Sequence, residues 1–189
     1  MAHLIYFTIS SLDGYIEDID GKFDWSEPDE EAHSFINNLV SSAGTFLYGR
    51  RMYEIMTVWE TDPNLAAVSP YREFAEIWQA ADKIVYSRTL EVVSTRKTQL
   101  QHNFDPETIR QLKAATGQDL LIGGPDLAAH AFRAELIDEC QLVLAPNIIG
   151  GGKPAFPSNI HLELELLEER RFHNGMVYLR YKVNQGSAV

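Results

Sequence analysis

The stretch Asp119-Leu120-Leu121-Ile122-Gly123-Gly124-Pro125-Asp126-Leu127-Ala128-Ala129-His130-Ala131-Phe132 limits the fold more than any other part of the chain. Leu120 to Ile122 is a continuous apolar run, as expected of a short strand covered on both faces. Gly123-Gly124 permits a sharp turn and leaves the backbone open to close approach. Pro125 suits the first turn of a helix, where its missing amide proton would have no partner in any case. Leu127, Ala128, Ala131 and Phe132 then recur at helical spacing. A strand ending at a bare helix N-terminus favours an anion, because free amides and the helix dipole both point at it. Taken alone, the unit is equally a tight turn between two packed elements.

Strand and helix patterns alternate on both sides of this unit. Residues 3 to 10 read as a first strand, followed by the turn Ser11-Leu12-Asp13-Gly14, and Gly21 to Trp25 is irregular. A helix is predicted from near Ser26, with Glu27, Asp29, Glu30 and Glu31 in its first turn, where the dipole favours acids. Ala32, Phe35, Ile36, Leu39, Val40 and Ala43 mark its buried stripe. Thr45 to Tyr48 forms a second strand that runs into a helix at Gly49-Arg50-Arg51-Met52-Tyr53-Glu54. Ser69-Pro70 opens a helix with Tyr71, Phe74, Ala75 and Trp78 on one side, and Lys83 to Tyr86 is a third strand ending at Ser87-Arg88-Thr89. Asp105-Pro106 caps a helix that stops at Gly117. Glu139 to Ala145 is a further strand leading to the glycine-rich run Pro146 to Pro154. Residues 162–172 and 176–183 flank His173-Asn174-Gly175 as a hairpin, and a two-residue Asn-Gly turn there sets Glu169 opposite Arg180. The pattern predicts a single domain over residues 1–185 with a short tail at 186–189. Its class is α/β: a three-layer α/β/α fold with a mostly parallel mixed central sheet and a C-terminal antiparallel hairpin.

Composition narrows the partners. A formal charge of -11 opposes nucleic acid, whose phosphates require a basic footprint. It leaves room for a small anion, because a few arginines set the local field. No apolar run approaches the roughly 20 residues that cross a bilayer, and Met1 to Phe7 lacks the flank and cleavage site of a signal peptide. The single cysteine, Cys140, lies on a predicted strand and fits a core position in a reducing compartment. The expectation is a cytoplasmic protein with a small-molecule substrate, no nucleic acid and no membrane.

Three strand ends carry residues suited to phosphate: Gly49-Arg50-Arg51, Ser87-Arg88-Thr89 and Gly123-Gly124. Arginines in a first helical turn oppose the dipole by about 0.3–1 kcal/mol each. A bound phosphate reverses that sign through charge-assisted hydrogen bonds of about 1.5–3 kcal/mol; the alternative is that both arginines bend into solvent. The arrangement suits a dinucleotide laid across a sheet edge. The glycine turn is not a Gly-x-Gly-x-x-Gly fingerprint, and the six scattered histidines offer no metal site. Gly151-Gly152-Lys153-Pro154 imitates a phosphate loop but reads as a structural or substrate-side loop. Among the acids after Trp25, one could serve as a proton source while the others form a solvated helix start.

These motifs together resemble the dihydrofolate reductase superfamily, and particularly the C-terminal reductase domain of bifunctional riboflavin-biosynthesis deaminase/reductases. The likeness runs from Leu4 to Val183, through Ser11-Leu12-Asp13-Gly14, Gly49-Arg50-Arg51-Met52-Tyr53-Glu54, Ile122-Gly123-Gly124 and Leu136 to Pro154. No zinc-binding deaminase domain accompanies it, so the chain resembles a stand-alone reductase. The resemblance implies NADPH as cofactor. It sets Gly49, Arg50, Arg51 and Met52 at the cofactor phosphates and Ser87, Arg88 and Thr89 around the adenosine side. Ile122, Gly123, Gly124, Pro125, Asp126 and Leu127 would meet the diphosphate, with Ile9 and Ile16 near the nicotinamide. Trp25-Ser26-Glu27-Pro28-Asp29-Glu30 is similar to a Trp-x-x-Pro-x-acid run, which gives Trp25 to the substrate and Glu30 the acid role; Asp13 is the second catalytic candidate. The implied activity is reduction of a pyrimidine- or pteridine-type molecule, most like 5-amino-6-(5-phosphoribosylamino)uracil reductase. The alternatives are dihydrofolate reduction, a non-catalytic NADPH-binding or sensor domain, or an oligomeric scaffold. The family commonly forms dimers, and Leu162, Leu164 and Leu166 alternate with Glu163 and Glu165 on a face that needs cover.

Overall fold

The computed structural model describes residues 1–65 and 68–184. The tail expected at 186–189, with residue 185 before it, lies outside the described residues. The chain runs β1 (Leu4–Ser11), β2 (Tyr15–Glu17), a short 3-10 turn (Asp24–Ser26), α1 (Glu30–Val40), β3 (Ala43–Gly49), α2 (Arg50–Met56) and α3 (Val58–Thr61). It continues through α4 (Tyr71–Ala80), β4 (Asp82–Tyr86), β5 (Thr98–Gln101), α5 (Pro106–Ala115), β6 (Asp119–Gly123) and α6 (Pro125–Arg133). The last elements are β7 (Glu139–Ala145), β8 (Lys153–Pro154), β9 (Leu164–Arg171) and β10 (Val177–Val183).

Eight strands form one sheet in the order β5-β4-β3-β6-β1-β7-β10-β9. Every pairing from β5 to β7 is parallel. β10 and β9 close the sheet antiparallel. Alternation along the strands builds two cores. Phe46 and Tyr48 of β3 and Leu121 of β6 face Ala32, Ile36 and Val40 of α1 and Phe74 and Trp78 of α4. Leu47, Leu120 and Ile122 face the other way, onto Ile109 of α5 and Ala128, Ala131 and Phe132 of α6. The fold is therefore the expected three-layer, mostly parallel α/β arrangement of the dihydrofolate reductase type.

Three local expectations change. The first helix begins at Glu30, not near Ser26: Asp29 caps it, accepting from the Ala32 amide, while Ser26 is buried with its hydroxyl donating to the Phe23 carbonyl. The hairpin turns through three residues, not two. Phe172 and Met176 close it by an amide-to-carbonyl bond of 2.9 Å. Both side chains are buried, and a one-residue slip would turn them outward. Arg180 thus lies opposite Glu168 rather than Glu169, and its guanidinium pairs bidentately with Glu139 of β7 at 2.8 Å. Finally, β2, β5 and β8 carried no readable pattern. β2 and β8 pair with each other as a separate two-stranded ribbon, and β5 is a short edge strand exposed on alternate residues.

Candidate functional site

The C-terminal ends of β3, β4, β5 and β6 open on one cleft of about 760 Å³, within the range of small-molecule and cofactor sites. Gly49, Arg50, Arg51 and Met52 line it from the start of α2, and Ser87 and Arg88 from the end of β4. Gly124 to Leu127 line it from the start of α6, and Ile16, Glu17 and Lys153 from the β2–β8 ribbon.

Gly124 shapes the floor. Its φ of +86 suits glycine alone without strain, and a Cβ there would meet the Cβ of Met52 at 3.4 Å. Arg50 is held in place by two partners: Nε donates to Glu54 at 2.7 Å and Nη1 to the Thr89 hydroxyl at 2.9 Å. Two of its five N–H donors are thereby used. Arg88 is exposed at the cleft and makes no hydrogen bond or ion pair among the described residues. The turn that carries Arg88 is set by the Ser87 hydroxyl, which accepts from the amides of Thr89 and Leu90.

Arg51 is 56% exposed but not free. It grips Glu17 bidentately at 2.9 and 2.7 Å. Lys153 pairs with Asp126, in the first turn of α6, through a single contact to one carboxylate oxygen. The lining holds four cations, Arg50, Arg51, Arg88 and Lys153, against Glu17 and Asp126, with Glu54 paired to Arg50 just outside it. The cleft is locally positive in a chain of net charge -11.

One wall is aromatic. Tyr86 and Phe104 stand 5.4 Å apart between centroids, and Phe104 and His130 5.8 Å. Burial, with a smaller contribution from the Asp105 charge, pushes the Tyr86 hydroxyl up to about 12, so it stays protonated. His102 is fixed by a 3.0 Å contact between its Nδ1 and the Ser87 carbonyl.

The structure brings together most residues expected at the cofactor: Ile16, Gly49, Arg50, Arg51, Met52, Ser87, Arg88, Gly124, Pro125, Asp126 and Leu127. Four others are not in the lining. Thr89 positions Arg50, Gly123 backs onto Tyr48, Ile122 is in the α5–α6 core, and Ile9 packs on the α1–α4 core. The three catalytic and substrate candidates are outside the lining. Asp13 accepts from the amides of Ile149 and Gly150, at 3.2 and 2.8 Å, and so holds that loop. The Ser11 hydroxyl, followed by those amides, keeps its carboxyl below the usual range. Glu30 is exposed in the first turn of α1, and Trp25 is half-buried with Nε1 donating to the Lys22 carbonyl at 3.2 Å. Cys140 is buried in the core, which pushes its thiol up to about 12. Among the described residues no cluster of three or more His, Cys, Asp or Glu side chains could hold a metal ion.

The residues missed from sequence are Glu17, Ile55, Tyr86, His102, Asn103, Phe104, His130 and Lys153. His130 had a signal: it lies four residues after Asp126 on one helix, so both face the same side. The residues after β5 had none, because the strand itself was unread.

The RibD C-terminal domain model matches residues 2–178. The uncharacterized protein YyaP of Bacillus subtilis is 29% identical over 181 residues, covering 92% of this chain and 91% of its own. A Shewanella sp. PV-4 protein assigned to riboflavin biosynthesis has a similar structure, with TM-score 0.76 and 25% identity over 98% of this chain and 100% of that one. A Thermotoga maritima deaminase/5-amino-6-(5-phosphoribosylamino)uracil reductase shares the fold, with TM-score 0.65 and 16% identity over 97% of this chain and 57% of that one. With the fold and a match over almost its whole length, the chain belongs to the RibD C-terminal domain family.

Proposed function

We propose that the chain is an NADPH-dependent reductase of a pyrimidine- or pteridine-type small molecule. The nearest reaction is the reduction of 5-amino-6-(5-phosphoribosylamino)uracil. The observation that carries this reading is the positive cleft at four strand ends of an acidic chain, with two cations, Arg50 and Arg88, presented at neighbouring strands.

The residues fit a nicotinamide dinucleotide phosphate. Gly124 leaves room for a diphosphate against the first amides of α6. Arg50 and Arg88 would take the 2′-phosphate, and the Tyr86, Phe104 and His130 wall would cover the adenine face. Bound there, the dihydronicotinamide supplies the hydride. The protein positions it and screens the phosphates, with Ile16 as the apolar contact at the ribbon end.

A thermal-shift titration tests the reading directly. NADPH at 100 times its dissociation constant should stabilise the fold by about 2.7 kcal/mol. Arg50→Ala and Arg88→Ala should each weaken NADPH far more than NADH; equal losses would remove the 2′-phosphate assignment. A non-catalytic nucleotide-binding domain is the second reading, favoured by the positions of Asp13 and Glu30 outside the cleft lining. NADPH oxidation on addition of substrate separates the two.

A further inference from the structure

The β2–β8 ribbon reaches both walls of the cleft through ion pairs. Glu17 and Lys153 are cross-strand neighbours in the ribbon. Glu17 reaches Arg51 at the start of α2, and Lys153 reaches Asp126 at the start of α6. Because β3 and β6 are adjacent in the sheet, α2 and α6 start side by side. Arg51, Glu17, Lys153 and Asp126 therefore form a row of alternating charge across the cleft, and all four line it. The ribbon cannot stand off from itself: at Gly152 a Cβ would fall 1.9 Å from the Glu17 carbonyl oxygen, so the strands are pressed together there.

The two attachments are unequal. Arg51 holds Glu17 with two parallel bonds, and that carboxylate is only 11% exposed. The guanidinium itself is 56% exposed, but two parallel bonds must break together to release it, and the planar fork loses little freedom in making them. Asp126 is 80% exposed, and its partner is a single ammonium on a flexible stem. Lys153 is 26% exposed, and a pair held by one contact to an open carboxylate is weaker and more easily exchanged than a two-bond fork. A ligand phosphate seated at Gly124 would put a second anion beside Asp126, and the nearest mobile cation is Lys153.

Resting on the nucleotide reading above, we propose that the ribbon is a clasp over the cleft. Arg51–Glu17 is its fixed end, and Lys153 is its exchangeable end, passed from Asp126 to the ligand's phosphate. Asp126 is then a built-in competitor that occupies Lys153 until an anion of higher charge arrives. The ribbon stays tethered in both states, first through the carboxylate and then through the ligand. Arg51 serves the site by holding the ribbon rather than by touching the phosphate.

Calorimetric titration of inorganic pyrophosphate and of NADPH into the wild type, Asp126→Asn, Lys153→Gln and the double variant tests the exchange. Asp126→Asn should tighten both ligands by about threefold or more, and Lys153→Gln should weaken them by a similar factor. In the double variant the gain from Asp126→Asn should vanish. A gain of undiminished size in the Lys153→Gln background would show simple charge repulsion and overturn the exchange, as would unchanged affinity in Asp126→Asn. Failure of both ligands to bind the wild type would remove the nucleotide reading and the exchange with it. The clasp itself is read without ligand, by hydrogen exchange at the amides of residues 15–17 and 153. Those amides should exchange faster in Asp126→Asn, and faster still in Arg51→Gln. Equal rates in all three proteins would overturn the clasp.

Discussion

At Gly124 the backbone stands at φ +86 and ψ 126, and a Cβ would lie 3.4 Å from Met52, an ordinary contact. The obstacle to a side chain is thus the conformation, not the space behind it. Gly124→Ala should remain folded by circular dichroism, lose about 1–3 kcal/mol of stability, and bind NADPH about tenfold more weakly or worse. A folded variant with wild-type affinity would place the diphosphate elsewhere. Glu30 has the opposite standing: the resemblance gives it the proton, and the structure leaves it exposed in the first turn of α1. If it acts from there in a closed complex, Glu30→Gln should lower turnover and leave NADPH affinity intact; an unchanged pH-rate profile removes it. What was legible at this scale was glycine and arginine at strand ends, because a sharp turn calls for glycine and a cation in a first helical turn opposes the dipole unless something offsets it. The aromatic wall was not legible. Tyr86 reads as core, and Phe104 and His130 meet only when the tertiary fold is formed.

Among the elements, α1 and the terminal hairpin are tied by a contact that the acid-rich start of α1 does not announce. Glu31 accepts from the His173 amide at 3.1 Å and from its ring Nδ1 at 2.8 Å, and Arg170 adds a bond at 3.3 Å. The His173 amide first, then its ring and Arg170, hold the Glu31 carboxyl down at about 2 from an ordinary 4.5. A carboxyl depressed in the folded state adds stability above its unfolded value and loses it as pH falls through the folded one. Glu31→Gln should therefore be less stable than wild type in urea at neutral pH. The gap should close as pH falls from about 4.5 to about 2; a gap that persists at pH 2 would show that the contact works without its charge. Long periodic elements were readable here: β7 matches its expected span of Glu139 to Ala145, and α4, α5 and α6 start where proline or a cap announced them. The hairpin register was not, because it is decided by the burial of Phe172 and Met176, and the Asn-Gly pair alone points to a shorter turn. The ribbon was beyond reach for a similar reason. Strands of three and two residues have no period to read, and their partner is far away in sequence.

For the whole molecule, the two ends of the sheet differ in kind. β5 lies beside the cleft, whereas β9 ends the other edge with all eight residues exposed. Leu162 packs on the α5–α6 core, but Leu164, Leu166 and Leu167 are 40%, 47% and 44% exposed. A sheet edge of this kind invites association, and natural edges are guarded by charges and bulges. Both guards are present: Leu167 is an extra residue where the register with β10 shifts, and Glu165, Glu168, Glu169, Arg170 and Arg171 crowd the strand. They oppose strand-to-strand pairing but leave the leucine face uncovered. We expect a homodimer that packs this face against its copy, with the acidic part of one β9 near the basic end of the other. A stable contact needs about 800 Å² from each partner, more than three leucines supply, so neighbouring surface must join it. Light scattering at micromolar concentration should give twice the chain mass of 21.4 kDa. Leu166→Lys, at an exposed position, should keep the fold and return the mass to that of one chain. A wild-type protein that is monomeric at these concentrations would rule the dimer out. A dimer that survives Leu166→Lys unchanged would move the interface away from β9.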